Sequence, residues 1–115
     1  MRDFHELEIW RRAHGLALAI YRMTKQLPKE EVFGLTVQLR RAAVGVATRI
    51  AEGAGVDSNP DFAGYLQRAK AGASEVEYLL LLARDLGYVP EEDYVRLSEE
   101  TIEVKKMLSG FVRRI

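Results

Sequence analysis

Two adjacent arginines, Arg40 and Arg41, stand inside the otherwise apolar stretch FGLTVQLRRAAVGVATRIAEG, which runs from Phe33 to Gly53. Two guanidinium groups in such a setting have three uses. They can hold a phosphate, pair with carboxylates in a fork-to-fork geometry, or form a solvated edge. Arg11, Arg12, Arg49, Arg68 and Lys70 are further cations that could join Arg41 on one surface and contact nucleic-acid phosphates. The competing use of Arg40 is structural. Glu75 and Glu77 lie beside an apolar run later in the chain, and a bidentate pair from Arg40 to one of them, within a chain or between copies, is favoured over a phosphate site.

Other chemistry finds little support. His5 and His14 are the two histidines, and neither stands in a Glu-x-x-His pair of the kind a di-iron helical site uses. His14 lies one turn from Trp10, so packing explains it, and His5 belongs to an N-terminal lead-in expected to face solvent. Ser74 and Ser109 have no histidine nearby in sequence. No glycine-rich phosphate loop follows a strand. No catalytic residue, metal site or cofactor is expected.

The bulk numbers agree. The chain has 115 residues, enough for one domain spanning 1–115. Basic and acidic residues balance at 17 each, which argues mildly against a strong nonspecific nucleic-acid binder. No cysteine is present, so there is no disulfide framework. The opening MRDFHELEIW lacks the basic start and apolar run of a signal peptide, and no apolar run approaches the roughly 18 residues of a membrane span. A soluble cytoplasmic protein is expected.

The elements that must position the arginines are helices. Four segments carry apolar residues at three- and four-residue steps. The first is Trp10, Ala13, Ala17, Ile20, Thr24, Leu27, and the second Leu35, Leu39, Ala42, Val46, Ile50. The third is Phe62, Leu66, Ala69, Ala73, Val76, Leu80, Ala83, and the fourth Tyr94, Leu97, Thr101, Val104, Leu108, Phe111. Each is a narrow seam. Pro28, the Gly53–Gly55 break, Asn59-Pro60 read as N-cap and first helical position, a C-capping Gly87, and Pro90 separate them. Short connections predict an all-α, antiparallel up-down-up-down four-helix bundle.

The second segment has more apolar surface than one seam needs. Phe33, Val37, Val44 and Ala51 fall roughly 120–160° from the core stripe. In the third segment Tyr78 to Ala83 is apolar all the way round. Self-association covers such a second face, and a wide, deep helix in a monomer core is the alternative. The candidate interface is Phe33, Val37, Arg40, Val44, Leu79 and Leu82. Arg40 lies between the two stripes, with its stem on apolar surface.

Through the run QLRRAA at Gln38–Ala43 followed by IAEG at Ile50–Gly53, the chain resembles the bacterial four-helix-bundle proteins known as 23S rRNA intervening-sequence proteins. The resemblance rests also on Phe4, Leu7, Trp10, Ile20-Tyr21, Glu31, Phe33-Gly34-Leu35, Phe62, Leu66, Glu75, Glu77 and Leu86-Gly87. It implies a homo-oligomer, typically a pentamer. A sister group resembles the accessory proteins of diversity-generating retroelements, basic barrels that bind nucleic acid and a reverse transcriptase. This chain departs from the pattern in being neutral, in having Val44–Arg49 without a proline, and in an acidic Val56–Asp61 loop. Two functions are expected to compete. One is a homo-oligomeric scaffold binding RNA, DNA or a nucleic-acid enzyme through a charged surface. The other is a module that binds protein alone.

Overall fold

The computed structural model describes residues 1–115, and it is all-helical. The helices are α1 (Glu8–Thr24), α2 (Leu35–Ala54), α3 (Asn59–Asp85) and α4 (Glu91–Arg114), with single 3-10 turns at Phe4–Glu6 and Lys29–Glu31. The four seams are where the sequence puts them. Ala13, Ala17, Ile20 and Thr24 of α1 are buried, as are all five seam residues of α2 and all seven of α3. In α4 the seam is buried from Leu97 to Leu108, while Tyr94 and Phe111 are half-buried at its two ends. These residues fuse into one hydrophobic core. Each helix packs on its neighbour in sequence, and α1 also meets α4; α1 and α3 face each other across the core without close approach. The longest dimension is 43 Å, close to the roughly 40 Å rise of the 27 residues of α3.

Helix ends follow from local chemistry. Gly87 takes φ +79°, a left-handed conformation glycine adopts without penalty. The amide of Tyr88 then reaches back to the Ala83 carbonyl and that of Gly87 to Arg84, closing a Schellman cap. At the start of α3 the cap is one residue earlier than expected. Ser58 Oγ accepts the Asp61 amide, which puts Asn59 and Pro60 in the first turn. Asn59 Oδ1 instead accepts from Arg2, whose amide donates to Ala54 and whose guanidinium lies over the Phe62 ring. The N-terminal lead-in is thereby strapped across the α2–α3 corner.

Glu31 caps α2. One carboxylate oxygen accepts the Leu35 amide at 3.0 Å and the other accepts the Tyr88 hydroxyl at 3.3 Å. A Cβ at position 34 would lie 2.8 Å from that carboxylate, so Gly34 keeps the capping oxygen in place. Burial, then the Glu31 charge and hydrogen bond, push the Tyr88 phenol upward, which keeps it protonated as a donor.

The tightest approach is between α2 and α3. A Cβ on Gly53 would come within 2.8 Å of both Phe62 Cδ1 and Tyr65 Cβ. Gly53→Ala therefore overpacks this corner and should cost about 1–3 kcal/mol. Gly45→Ala meets nothing within 4 Å and should be neutral or stabilising by up to about 1 kcal/mol through helix propensity. Chemical denaturation of both variants tests the pair; equal midpoints would contradict the close approach.

Candidate nucleic-acid interface

The seam of α2 turns the rest of that helix outward, and three of its outward residues, Arg41, Gly45 and Arg49, repeat at four-residue spacing along one stripe. Across from them α3 places Arg68, Ala71, Gly72 and Glu75. Together with Gln38 and Ala42 these residues line a groove of about 580 Å³ between the two helices. Ala42, Gly45, Ala71 and Gly72 are the small residues of its lining. Gly72 leaves Val46 Cγ2 only 3.4 Å from where a Cβ would stand.

The arginines of this groove are weakly engaged. Arg49 pairs with Glu52 one turn away, at 3.2 Å and in solvent, and such pairs contribute little. The Arg68 guanidinium lies 4.3 Å over the Tyr65 ring and has no carboxylate partner. Arg41 has neither an ion pair nor a side-chain hydrogen bond. Glu75 is the one carboxylate lining the groove. With Arg49 paired to Glu52, Arg41 and Arg68 face the single acid Glu75 and leave a net positive surface suited to phosphate.

The other sequence candidates lie elsewhere. Arg11 is held by Glu8 at 3.0 Å and by the His5 carbonyl at 2.8 Å, and Arg12 reaches Glu100 on α4. Lys70 points to the α4 side of α3. There it lines a second groove with Lys105, Lys106, Ser109 and Arg113, of about 410 Å³. The six cations thus do not form one zone on a single chain. Lys105, Lys106 and Arg113 suit the C-terminal half of α4 through the helix dipole alone; their common placement beside Lys70 needed the fold. The available signal was the four-residue spacing of Lys105, Ser109 and Arg113.

Arg40 does not pair with Glu75 or Glu77 within the chain. Its Nε donates to Thr24 Oγ1 at 2.8 Å and its guanidinium lies 4.6 Å over the Tyr21 ring, with a longer bond to the Tyr21 carbonyl. The reason is rotational. Arg40 is on the α1 flank of α2, and α3 packs on the other flank. Glu77 takes Lys105 at 2.8 Å instead. Thr24, buried, also donates to the Ile20 carbonyl, so Arg40 completes its hydroxyl.

Beside the arginine groove is an uncovered apolar face. Phe33 is 93% exposed, and Val32, Tyr21, Leu18 and Val44 are each exposed by two-fifths or more. Val37 is half-buried between them. The face continues into a groove between α1 and α2 that includes Phe4, Trp10 and His14. His14 stacks on Trp10 at 4.9 Å with ring planes 5° apart, and Phe4 meets Trp10 edge-on. Leu79 is not part of this face. It is 5% exposed, and Leu82 is half-buried against the same core. From Leu79 to Ala83 the apolar run of α3 is buried or half-buried within its own chain, while Tyr78 is exposed.

A hydrogen bond from His5, supported by the His5 amide, holds the Asp3 carboxyl below its usual range at the exposed lead-in. No three His, Cys, Asp or Glu side chains group as metal ligands, and no helix is long and apolar enough to cross a membrane.

These features define an all-α protein of four helices around one core, with an arginine groove beside an exposed apolar face. The chain belongs to the 23S rRNA-intervening sequence protein family, whose model matches residues 5–110. It is similar to a crystal structure from Bacteroides thetaiotaomicron VPI-5482, described as a protein with unknown function from the S23 ribosomal protein family. The two share 25% identity over 90% of this chain and 97% of the other, with a TM-score of 0.84. No curated protein matches the chain.

The Arg40 geometry gives a direct prediction. A double-mutant cycle between Arg40→Met and Thr24→Val should return a coupling of about 0.5–1.5 kcal/mol. The same cycle between Arg40 and Glu77 should return zero within about 0.3 kcal/mol. The reverse ranking would contradict the placement of Arg40.

Proposed function

We propose that this chain is a non-enzymatic, self-associating helical scaffold that binds RNA through the arginine groove between α2 and α3. The observation that carries the reading is adjacency. Arg41, Gly45 and Arg49 line both the groove and the margin of the exposed apolar face. A second copy seated on that face would bury Phe33, Val37 and Val44 and would leave the arginines at the rim of the contact. Repeated around a closed assembly, the grooves would form a continuous positive track on a chain whose net charge is zero. Five copies is the number the family resemblance implies.

The helices are taken to run antiparallel, up-down-up-down. Contacts at successive corners support this: Arg40 near the start of α2 meets Thr24 at the end of α1, and Gly53 near the end of α2 abuts Phe62 near the start of α3. That topology puts Phe33 at one tip of the molecule, where a neighbouring copy can receive it.

Two substitutions separate the parts of the proposal. Val44→Glu should split the assembly into smaller species, because it buries an unpaired charge; sedimentation velocity reads this. Arg41→Glu with Arg49→Glu should abolish RNA binding and leave the sedimenting mass unchanged. RNA affinity that survives the double change, or that is flat in salt, would contradict the groove and leave a module that binds only protein, whether a nucleic-acid enzyme or another partner.

A further inference from the structure

Helix α3 carries a second regularity. Between Gly64 and Tyr78, the exposed residues Gly64, Gln67, Ala71, Ser74 and Tyr78 are uncharged, and the exposed Arg68 and Glu75 stand beside them on the α2 edge. At 100° per residue the uncharged residues occupy an arc of about 80° directly opposite the buried seam. Cations stand on both sides of this rib. On the α2 side are Arg41, Arg49 and Arg68; on the α4 side are Lys70, Lys105, Lys106 and Arg113. One acid lines each groove, Glu75 on the α2 side and Glu77 on the α4 side; Glu77 pairs with Lys105 and Arg49 with Glu52, which leaves Arg41, Arg68, Lys70, Lys106 and Arg113 without an ion-pair partner. The acidic first turn of α4, Glu91 to Asp93, is at the far end of that helix from Lys105 and Arg113.

We infer that α3 is the rib of a two-walled surface for double-stranded RNA, with the arginine groove on one phosphate strand and the lysine groove on the other. This rests on the RNA reading of the arginine groove and adds the second wall and the form of the ligand. A single strand offers one row of phosphates, which one groove can satisfy. Two rows of cations separated by a neutral rib match two phosphate rows separated by a groove. The major groove of A-form RNA is too deep and narrow for a helical rib to enter. The rib side chains fit the wide, shallow minor groove of A-form RNA, where Gln67 and Ser74 can meet 2′-hydroxyls and where recognition is by shape. The placement is also compatible with self-association. α1 and α3 are on opposite sides of the core, so an assembly through the α1–α2 face leaves the rib open.

The test uses an RNA duplex of about 20 base pairs, one of its strands alone, and the DNA duplex of the same sequence, in fluorescence anisotropy between about 50 and 200 mM salt. The duplex RNA should bind at least about tenfold more tightly than the strand, with a salt slope steeper by about one per added phosphate contact. Lys106→Glu with Arg113→Glu, both at exposed positions, should reduce duplex affinity to that of the strand and leave strand affinity unchanged. Ser74→Glu, which puts a charge on the rib, should do the same. Circular dichroism melts confirm that each variant folds. Equal affinity for duplex and strand, unaffected by Lys106→Glu with Arg113→Glu but abolished by Arg41→Glu with Arg49→Glu, would overturn the second wall while sparing the arginine groove. No binding to either RNA would overturn both. Equal affinity for the DNA duplex would overturn the assignment to RNA.

Discussion

The close packing of α2 on α3 is the constraint on which the rest of the molecule depends. It is set by absent side chains. Gly53 lets the Phe62 ring and the Tyr65 Cβ approach the α2 backbone, and Gly72 lets Val46 approach α3. With Ala42 and Ala71 they bring the two helices near enough that residues on both sides line one groove. Larger residues at these positions would push Arg41 and Arg49 away from Arg68. The same corner anchors the N-terminal lead-in through Arg2, which joins the Ala54 carbonyl, the Asn59 amide group and the Phe62 face.

Because α2 is held so closely, it works on three sides at once. Its seam fills the core, one flank supplies arginines to the groove, and the other meets α1 through Arg40, Thr24 and Tyr21. The sector left over is apolar, and nothing in the chain covers it. A helix of this kind carries more apolar surface than a single chain can bury, and that excess is the physical argument for a partner. Arg40 marks the boundary. Its stem and guanidinium cover the Tyr21 ring while its Nε completes a buried hydroxyl, so its charge is not left unpartnered in the apolar sector.

Much of this was legible in the sequence, for reasons that differ by residue. The seams could be read because helical periodicity and burial coincide at Leu39, Val46, Ile50, Leu66, Val76 and Leu97. Gly87 was readable because a left-handed cap nearly requires glycine. The start of α3 was one residue off because Ser58 and Asn59 are both good caps, and which is used depends on Arg2 engaging Asn59. Leu79 was misplaced because an all-round apolar helix looks the same whether its flanks meet its own chain or another copy. Within the chain Arg40 meets α1 rather than α3, and its position at the edge of the stripe does not say which neighbour packs on that side. The lysine groove was missed because cations at the end of α4 already have a sufficient local reason in the helix dipole, so nothing there looked anomalous.

The central claim is that the uncovered α2 face is closed by further copies of this chain, with the arginine grooves on nucleic acid. Native mass spectrometry on protein purified without nuclease tests it most directly. The account predicts an integral multiple of the 13.0 kDa chain carrying additional nucleic-acid mass that nuclease removes. A 13.0 kDa monomer free of nucleic acid would contradict it.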